Sequence, residues 1–198
     1  MSSADSANID DCIAIGTNAL TSGSGPTLSG AIAIGSNAMN STGANGATGQ
    51  IAIGMNALTA LGSPGGNTAI GYNAGSTLTT GASNTVLGYG ALAEHISGSR
   101  NIAIGASSMG STQAGSSQTT SAASNDNIAI GYGAMGGNWA DAASIRSTAV
   151  GNYAMGEGMN TANDDVAFGY HALKNITTAN DCVGVGSHAG DTITTGDS

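Results

Sequence analysis

Ten times in 198 residues the chain returns to one short phrase: a large or β-branched residue, a small one, a large apolar one, then glycine. IAIGTNAL (13–20), IAIGSNAM (32–39) and IAIGMNAL (51–58) differ at only two places. The anchoring glycines are Gly16, Gly35, Gly54, Gly71, Gly88, Gly105, Gly131, Gly151, Gly169 and Gly186, at intervals of 19, 19, 17, 17, 17, 26, 20, 18 and 17 residues. A period in this range prescribes a solenoid, in which each coil packs only on its neighbours. Few other architectures use one phrase so often.

Aligned on the glycine, the copies form columns. Directly before it stand Ile15, Ile34, Ile53, Ile70, Leu87, Ile104, Ile130, Val150, Phe168 and Val185. Two before it the column is small: Ala14, Ala33, Ala52, Ala69, Val86, Ala103, Ala129, Ala149, Ala167 and Gly184. Three before it stands Ile, Val or Thr, which makes the segment a β-strand by residue type. Three after it comes a second small column, usually followed by Leu or Met, which predicts a second short strand in each coil. Two strands and two turns fill a coil of about 17 residues. A three-sided roll of hexapeptides needs about 18 in strict sixes, and the consecutive intervals of 17 reject it. The expected fold is all-β: a parallel β-roll of about ten coils over residues 12–190, between a polar N-terminal segment (1–11) and a C-terminal tail (191–198).

Both faces of the first strand are apolar, isoleucine on one and alanine on the other. A strand buried on both faces needs cover on both. One face fills the roll, and the other lies open on a lone chain, as a patch larger than soluble monomers usually show. The sequence therefore asks for a second chain. It does not say which face is which, so Ala14, Ala33, Ala52, Ala69, Ala103, Ala129, Ala149 and Ala167 pack either inside the roll or between chains.

Composition removes several functions. The net charge is −9, and Arg100, Arg146 and Lys174 are the only cations, so no basic patch exists to bind nucleic acid. No apolar run approaches the ~18 residues of a membrane span, and the start MSSADSANIDD lacks the basic and apolar stretches of a secretory signal. No membrane insertion and no export are expected. Catalysis needs converging groups in a pocket, whereas the carboxylates here are scattered. The pairs Asp10–Asp11 and Asp164–Asp165 beside strand starts read as solvated turn residues. No phosphate loop or calcium nonapeptide series is present, so no enzyme and no cofactor are expected.

Three histidines and two cysteines need separate treatment. His171 and His188 each stand two after a glycine in adjacent coils, about 4.8 Å apart. Two neutral polar side chains in a turn column are expected there; the weaker alternative is a transition-metal site gathering imidazoles from several chains. No metal is expected. His95, between repeats, is expected to be exposed. Cys12 and Cys182 share the column four before the glycine, in the first and last coils. Nine steps separate them by about 43 Å, and a disulfide needs Cα atoms within about 7 Å. They read as buried thiols standing in for asparagine.

NTAIGYNAG (67–75), NTVLGYGAL (84–92), NIAIGASSM (101–109) and NIAIGYGAM (127–135) resemble the head repeats of YadA-like trimeric adhesins. The stretch NTAIGYNAGSTLTTGASNTVLGYGAL also resembles repeats of phage tail-fibre proteins. The resemblance spans residues 12 to about 190. It implies a left-handed parallel β-roll, three chains side by side as a homotrimer, and a role in adhesion. The heptad stalk and membrane anchor of the bacterial family have no counterpart here, nor does the C-terminal chaperone domain common in fibres. The expected protein is a non-enzymatic, receptor-binding fibre, knob or surface projection of a bacteriophage virion. Its partners would be other virion structural proteins and a host-surface glycan or protein. The alternatives are the head of a bacterial trimeric autotransporter adhesin at the cell surface, and a capsid decoration or cement protein with no receptor.

Recognition would sit where extra chain leaves the roll, because solenoid insertions collect on the binding face. The 26-residue interval contains STQAGSSQTTSAASND (111–126), with Gln113 and Gln118. The 20-residue interval contains GGNWADAASIR (136–146), with Trp139 flanked by Asn138 and Asp141 and followed by Arg146. An aromatic ring beside amide and carboxylate groups suits a sugar. The competing expectation is that Trp139 plugs the gap between its loop and the roll.

Overall fold

A computed structural model of the chain describes residues 9–21, 28–41, 48–62, 65–110, 124–137, 143–157, 159 and 161–195. Twelve short strands run through them: β1 (Ile9–Asp10), β2 (Ile13–Ile15), β3 (Leu28–Ser29), β4 (Ile32–Ile34), β5 (Ile51–Ile53), β6 (Thr68–Ile70), β7 (Thr85–Leu87), β8 (Ile102–Ile104), β9 (Ile128–Ile130), β10 (Thr148–Val150), β11 (Val166–Phe168) and β12 (Val183–Val185). β2 and β4 to β12 form one parallel sheet of ten strands in chain order. Like pairs with like across each step: Ala129 lies opposite Ala103 on one side and Ala149 on the other. The protein is an all-β parallel β-solenoid, with no helix among the described residues.

The alanine column faces inward. Ala33, Ala52, Ala69, Ala103, Ala129, Ala149 and Ala167 are fully buried within a single chain, and Ala14 of the first coil is half-buried. The isoleucines beside them point outward. The reason is volume: the opposite side of each coil fills the narrow interior with Met39, Leu58, Leu92, Met109, Met135, Met155 or Leu173, all buried. Little more than a methyl group fits between that layer and the sheet, with Val86 the one larger side chain buried in the column.

The expected second strand does not form. Residues two after the anchor, such as Asn37, Ser107 and Tyr153, have φ of 57°, 55° and 56°, and those four after it, such as Met39, Met109 and Leu173, have φ of 50°, 47° and 47°. These are left-handed conformations, far from a strand's φ of about −120°. The segment is a turn, closed where the Ala38 N–H donates to the Gly35 carbonyl at 3.3 Å. Coil-to-coil bonding continues regardless: the Asn37 N–H donates to the Thr17 carbonyl (2.8 Å) and the Met39 N–H to the Ala57 carbonyl (3.0 Å). A left-handed Leu or Met costs about 1–2 kcal/mol, whereas burying its side chain returns about 1.5–3 kcal/mol. Burial wins. Among the described residues the one second ladder joins β1 to β3 and bridges Ser29 to Thr48, and it precedes the main strand rather than following the glycine.

Four before the anchor runs a buried polar column. The Asn84 Oδ1 accepts from the Asn101 N–H (2.9 Å) and Nδ2 (3.1 Å), while its own Nδ2 donates to the Gly98 carbonyl (2.8 Å). Asn67, Asn101 and Asn127 repeat the donation to the carbonyls of Gly81, Ser124 and Ser144. Elsewhere in the column Gln50 accepts the Asn67 N–H and Ser147 the Asp165 N–H. The Cys12 Sγ accepts from the Ala31 N–H at 3.4 Å, a thiol standing in for an amide oxygen as expected. Cys182 is buried, as expected of a thiol in this column, whereas Cys12 in the first coil is only half-buried. The roll also runs past its expected bounds: β1 pairs with β3, and the Thr194 carbonyl accepts from the N–H groups of Thr177 and Thr178.

Each anchor glycine has φ between 122° and 147°, which L side chains rarely adopt, and each but the last lies against the next coil. A Cβ on Gly131 would stand 2.6 Å from the Gly151 carbonyl oxygen. One on Gly186 would meet nothing within 4 Å. Gly131→Ala therefore incurs both strain and collision, and Gly186→Ala strain alone, about 1–3 kcal/mol. Thermal melts should show Gly131→Ala losing much more stability than Gly186→Ala. Equal losses would mean that backbone stacking does not select glycine.

Candidate functional site

The outward face of the sheet carries two apolar columns along all ten strands. Nine steps make it about 43 Å long. Ile32, Ile51, Ile102 and Ile128 are half-buried, while Leu87, Ile130 and Phe168 are exposed. At the ends exposure rises, to 71% at Val183 and 69% at Val185. Thr68, Thr85 and Thr148 provide the only hydroxyls in these two columns.

Beside this face, at the corner just after the anchor, stand all five tyrosines of the chain: Tyr72, Tyr89, Tyr132, Tyr153 and Tyr170. Each is exposed. Tyr72 and Tyr89 stack with ring centroids 5.1 Å apart. Over the last four coils the rings form one strip. Tyr132 meets Tyr153 edge-on at 5.2 Å, and Tyr153 meets His171 at 5.5 Å. Tyr170 stacks on His171 at 3.9 Å and reaches His188 at 5.4 Å. The corner puts the residue after the glycine outward and the next one in a left-handed turn, so both columns hold their side chains away from the core. An array of exposed rings and phenolic hydroxyls suits a flat ligand with one apolar face and polar edges.

The two imidazoles stand 5.0 Å apart, close to the spacing the repeat predicts. Partial burial holds His171 below the usual histidine range, with Lys174 and His188 adding to the effect. The His188 Nδ1 lies 2.9 Å from Asp191 Oδ2. Among the described residues no group of three or more His, Cys, Asp or Glu is placed to hold a metal ion.

The loop candidates fall differently. Gln113, Gln118, Asn138, Trp139 and Asp141 lie outside the described residues. Arg146 sits five before its anchor, in a charge column, and binds Asp164 through Nε and Nη2, both at 2.6 Å. Arg100 holds Asp126 in the same way at 2.6 and 2.7 Å, and Lys174 pairs with Glu157 at 2.8 Å. The guanidiniums keep both aspartates below the usual carboxylate range. All three cations are thus engaged within the chain.

Two expectations are corrected. His95 is buried, not exposed, because seven after its anchor it takes the core position held by Leu61, Leu78 and Ile176 in other coils. Burial pushes its pKa down to about 4, partly offset by a hydrogen bond with the Ser124 backbone. Asp165 is not a solvated turn residue. It occupies the asparagine column, fully buried, with Oδ1 accepting the Cys182 N–H at 2.9 Å. Its partner in sequence, Asp164, is the solvated one.

Comparison of the chain with protein-family models, with curated proteins and with solved structures finds no match.

The imidazole of His171 provides a direct check of the strip. Its ring-proton resonances, followed by NMR, should titrate below pH 6.5, since the neutral form is favoured there. A midpoint above 6.5 would mean that the ring is not held between Tyr170 and Tyr153.

Proposed function

We propose that the chain is a non-enzymatic structural and receptor-binding element, a fibre, knob or surface projection of a bacteriophage particle built from three rolls side by side. The observation that carries this reading is the outward apolar face, which spans every strand of the sheet and, among the described residues, is left open to solvent along its length. Such a face is well beyond what a soluble monomer exposes. Repeats resembling adhesin heads and tail-fibre segments supply the trimer and the setting. The same resemblance supports the head of a bacterial surface adhesin, which needs the same assembly.

A non-catalytic role is supported by where the perturbed groups lie. His95 and Asp165 are enclosed in the roll rather than aimed into a cleft. Recognition is assigned to the aromatic corner, with the Trp139 loop as a second contact. A neutral glycan suits it better than an anionic ligand, because every cation already holds a carboxylate and the net charge is −9.

Sedimentation equilibrium should give three times the 18.9 kDa chain mass. Ile104→Lys, at the middle of the outer face, should yield smaller species that keep their β-sheet circular dichroism. A stable wild-type monomer would overturn the assembly.

For recognition, Tyr153→Asn with Tyr170→Ser places at each position a residue that the same column carries in other coils. The trimer should persist with unchanged melting, while adsorption to host cells falls at least tenfold. Retained adsorption, lost instead in Trp139→Ala, would move recognition to the loop.

A further inference from the structure

The buried column four before the anchor has one acidic member, which in its ordinary ionised state cannot do what asparagine does there. In four coils an asparagine accepts through Oδ1 from the next coil's backbone and donates through Nδ2 to the carbonyl seven before the next anchor. Asp165 reproduces half of this. Its Oδ1 accepts the Cys182 N–H, but Oδ2, in the place of the amide nitrogen, is buried and has no hydrogen-bond partner. The carbonyl that corresponds to Gly98 or Ser144 is that of Ala179, itself buried. An ionised oxygen cannot donate to a carbonyl, and leaving it unpaired in the interior is costly. A protonated one has the donor that the position requires.

We propose that Asp165 takes up a proton within the roll on acidification and, as the neutral acid, donates from Oδ2 to the Ala179 carbonyl. A proton then supplies the coil-to-coil bond that an amide supplies elsewhere, and the joint between the Gly169 and Gly186 coils tightens as the medium is acidified.

The surroundings favour the neutral form. The residues flanking the column are Asp164 and Asp181, both acidic, and Arg146 is turned away into its pair with Asp164. Ser147 and Cys182, above and below, carry no charge to offset an anion. Burial first, and then these two carboxylates, push the Asp165 pKa up to about 6, against the opposing hydrogen bond from Cys182. The linkage has a definite sign: a carboxyl raised from 3.8 to about 6 contributes stability that is complete below 3.8 and lost as pH rises through 6. Asp126 and Asp164 act in the opposite sense but below 3.8, outside that window. His95 opposes within it, since a base lowered to about 4 loses stability as pH falls from 6.5. Wild-type melts alone therefore mix two trends, and the variant must isolate one.

Asp165→Asn supplies the missing donor permanently. Its melting temperature should exceed wild type by roughly 5 °C at pH 8, and the difference should shrink as pH falls through 6 and vanish only below pH 3.8. A difference that does not change with pH, or a variant less stable than wild type at pH 8, would overturn the proposal. Infrared spectroscopy of the intact protein provides the second readout, with no demand on the variant's stability. At pH 5 the difference spectrum of wild type against Asp165→Glu or Asp165→Asn should contain one protonated-carboxyl stretch at the frequency of a hydrogen-bonded acid. Absence of that band would also overturn it.

Discussion

Everything in this roll follows from how closely one coil rests on the next at the anchor glycine. The carbonyl of each anchor occupies the space where the previous anchor's Cβ would be, so no side chain can stand there. That contact fixes the corner at which the strand ends, and it sends the following residues into alternating left-handed turns rather than a second strand. The coil is consequently thin. A thin coil has an interior wide enough for little more than methyl groups facing Leu and Met, which is why the sheet turns its small column inward. The large β-branched residues that stabilise the strand have only one place left, the outside. The apolar outer face is thus a consequence of tight stacking rather than an addition to it.

The period, the parallel sheet and the coil positions were legible because each depends on residue type at fixed spacing. Ile128, Ala129 and Ile130 read as a strand and form one. The direction of the faces was not legible, since isoleucine and alanine are both apolar and either can line a core. The turn after the glycine was misread for a different reason. Leu and Met in that column suggested strand residues, yet their left-handed φ is imposed by stacking and compensated by burial, which a single residue's propensity does not report. One local signal was present: asparagine at Asn18, Asn37, Asn56 and Asn73, a residue that tolerates left-handed backbone, recurs two after the anchor.

His95 and Asp165 show the limit of aligning only the phrase. Their columns lie outside the glycine-centred core of the repeat, at seven after and four before. Compared with Leu61 and Leu78, or with Asn101 and Asn127, both residues are substitutions in buried columns, and burial could have been inferred from position rather than from polarity. The tyrosine corner was missed similarly. Its members stand one or two residues after the glycine, yet the long intervals and the single tryptophan are the more conspicuous departures from the repeat.

The polar column answers a problem that the methyl-sized interior creates. Alanine packing changes little if one coil slides against the next by a residue pair, so apolar contacts alone would specify the register weakly. The asparagine bonds are directional, and a slip would leave an amide and two backbone groups unpaired inside the roll. Such a column stabilises one register by penalising the others. The column ends with Asp165 and Cys182 at the last joint, where a carboxyl replaces the amide and the outer valines are most exposed. The terminal coil is therefore the part of the roll where both layers depart furthest from the repeat, with a carboxyl in the amide column within and Val183 and Val185 exposed without.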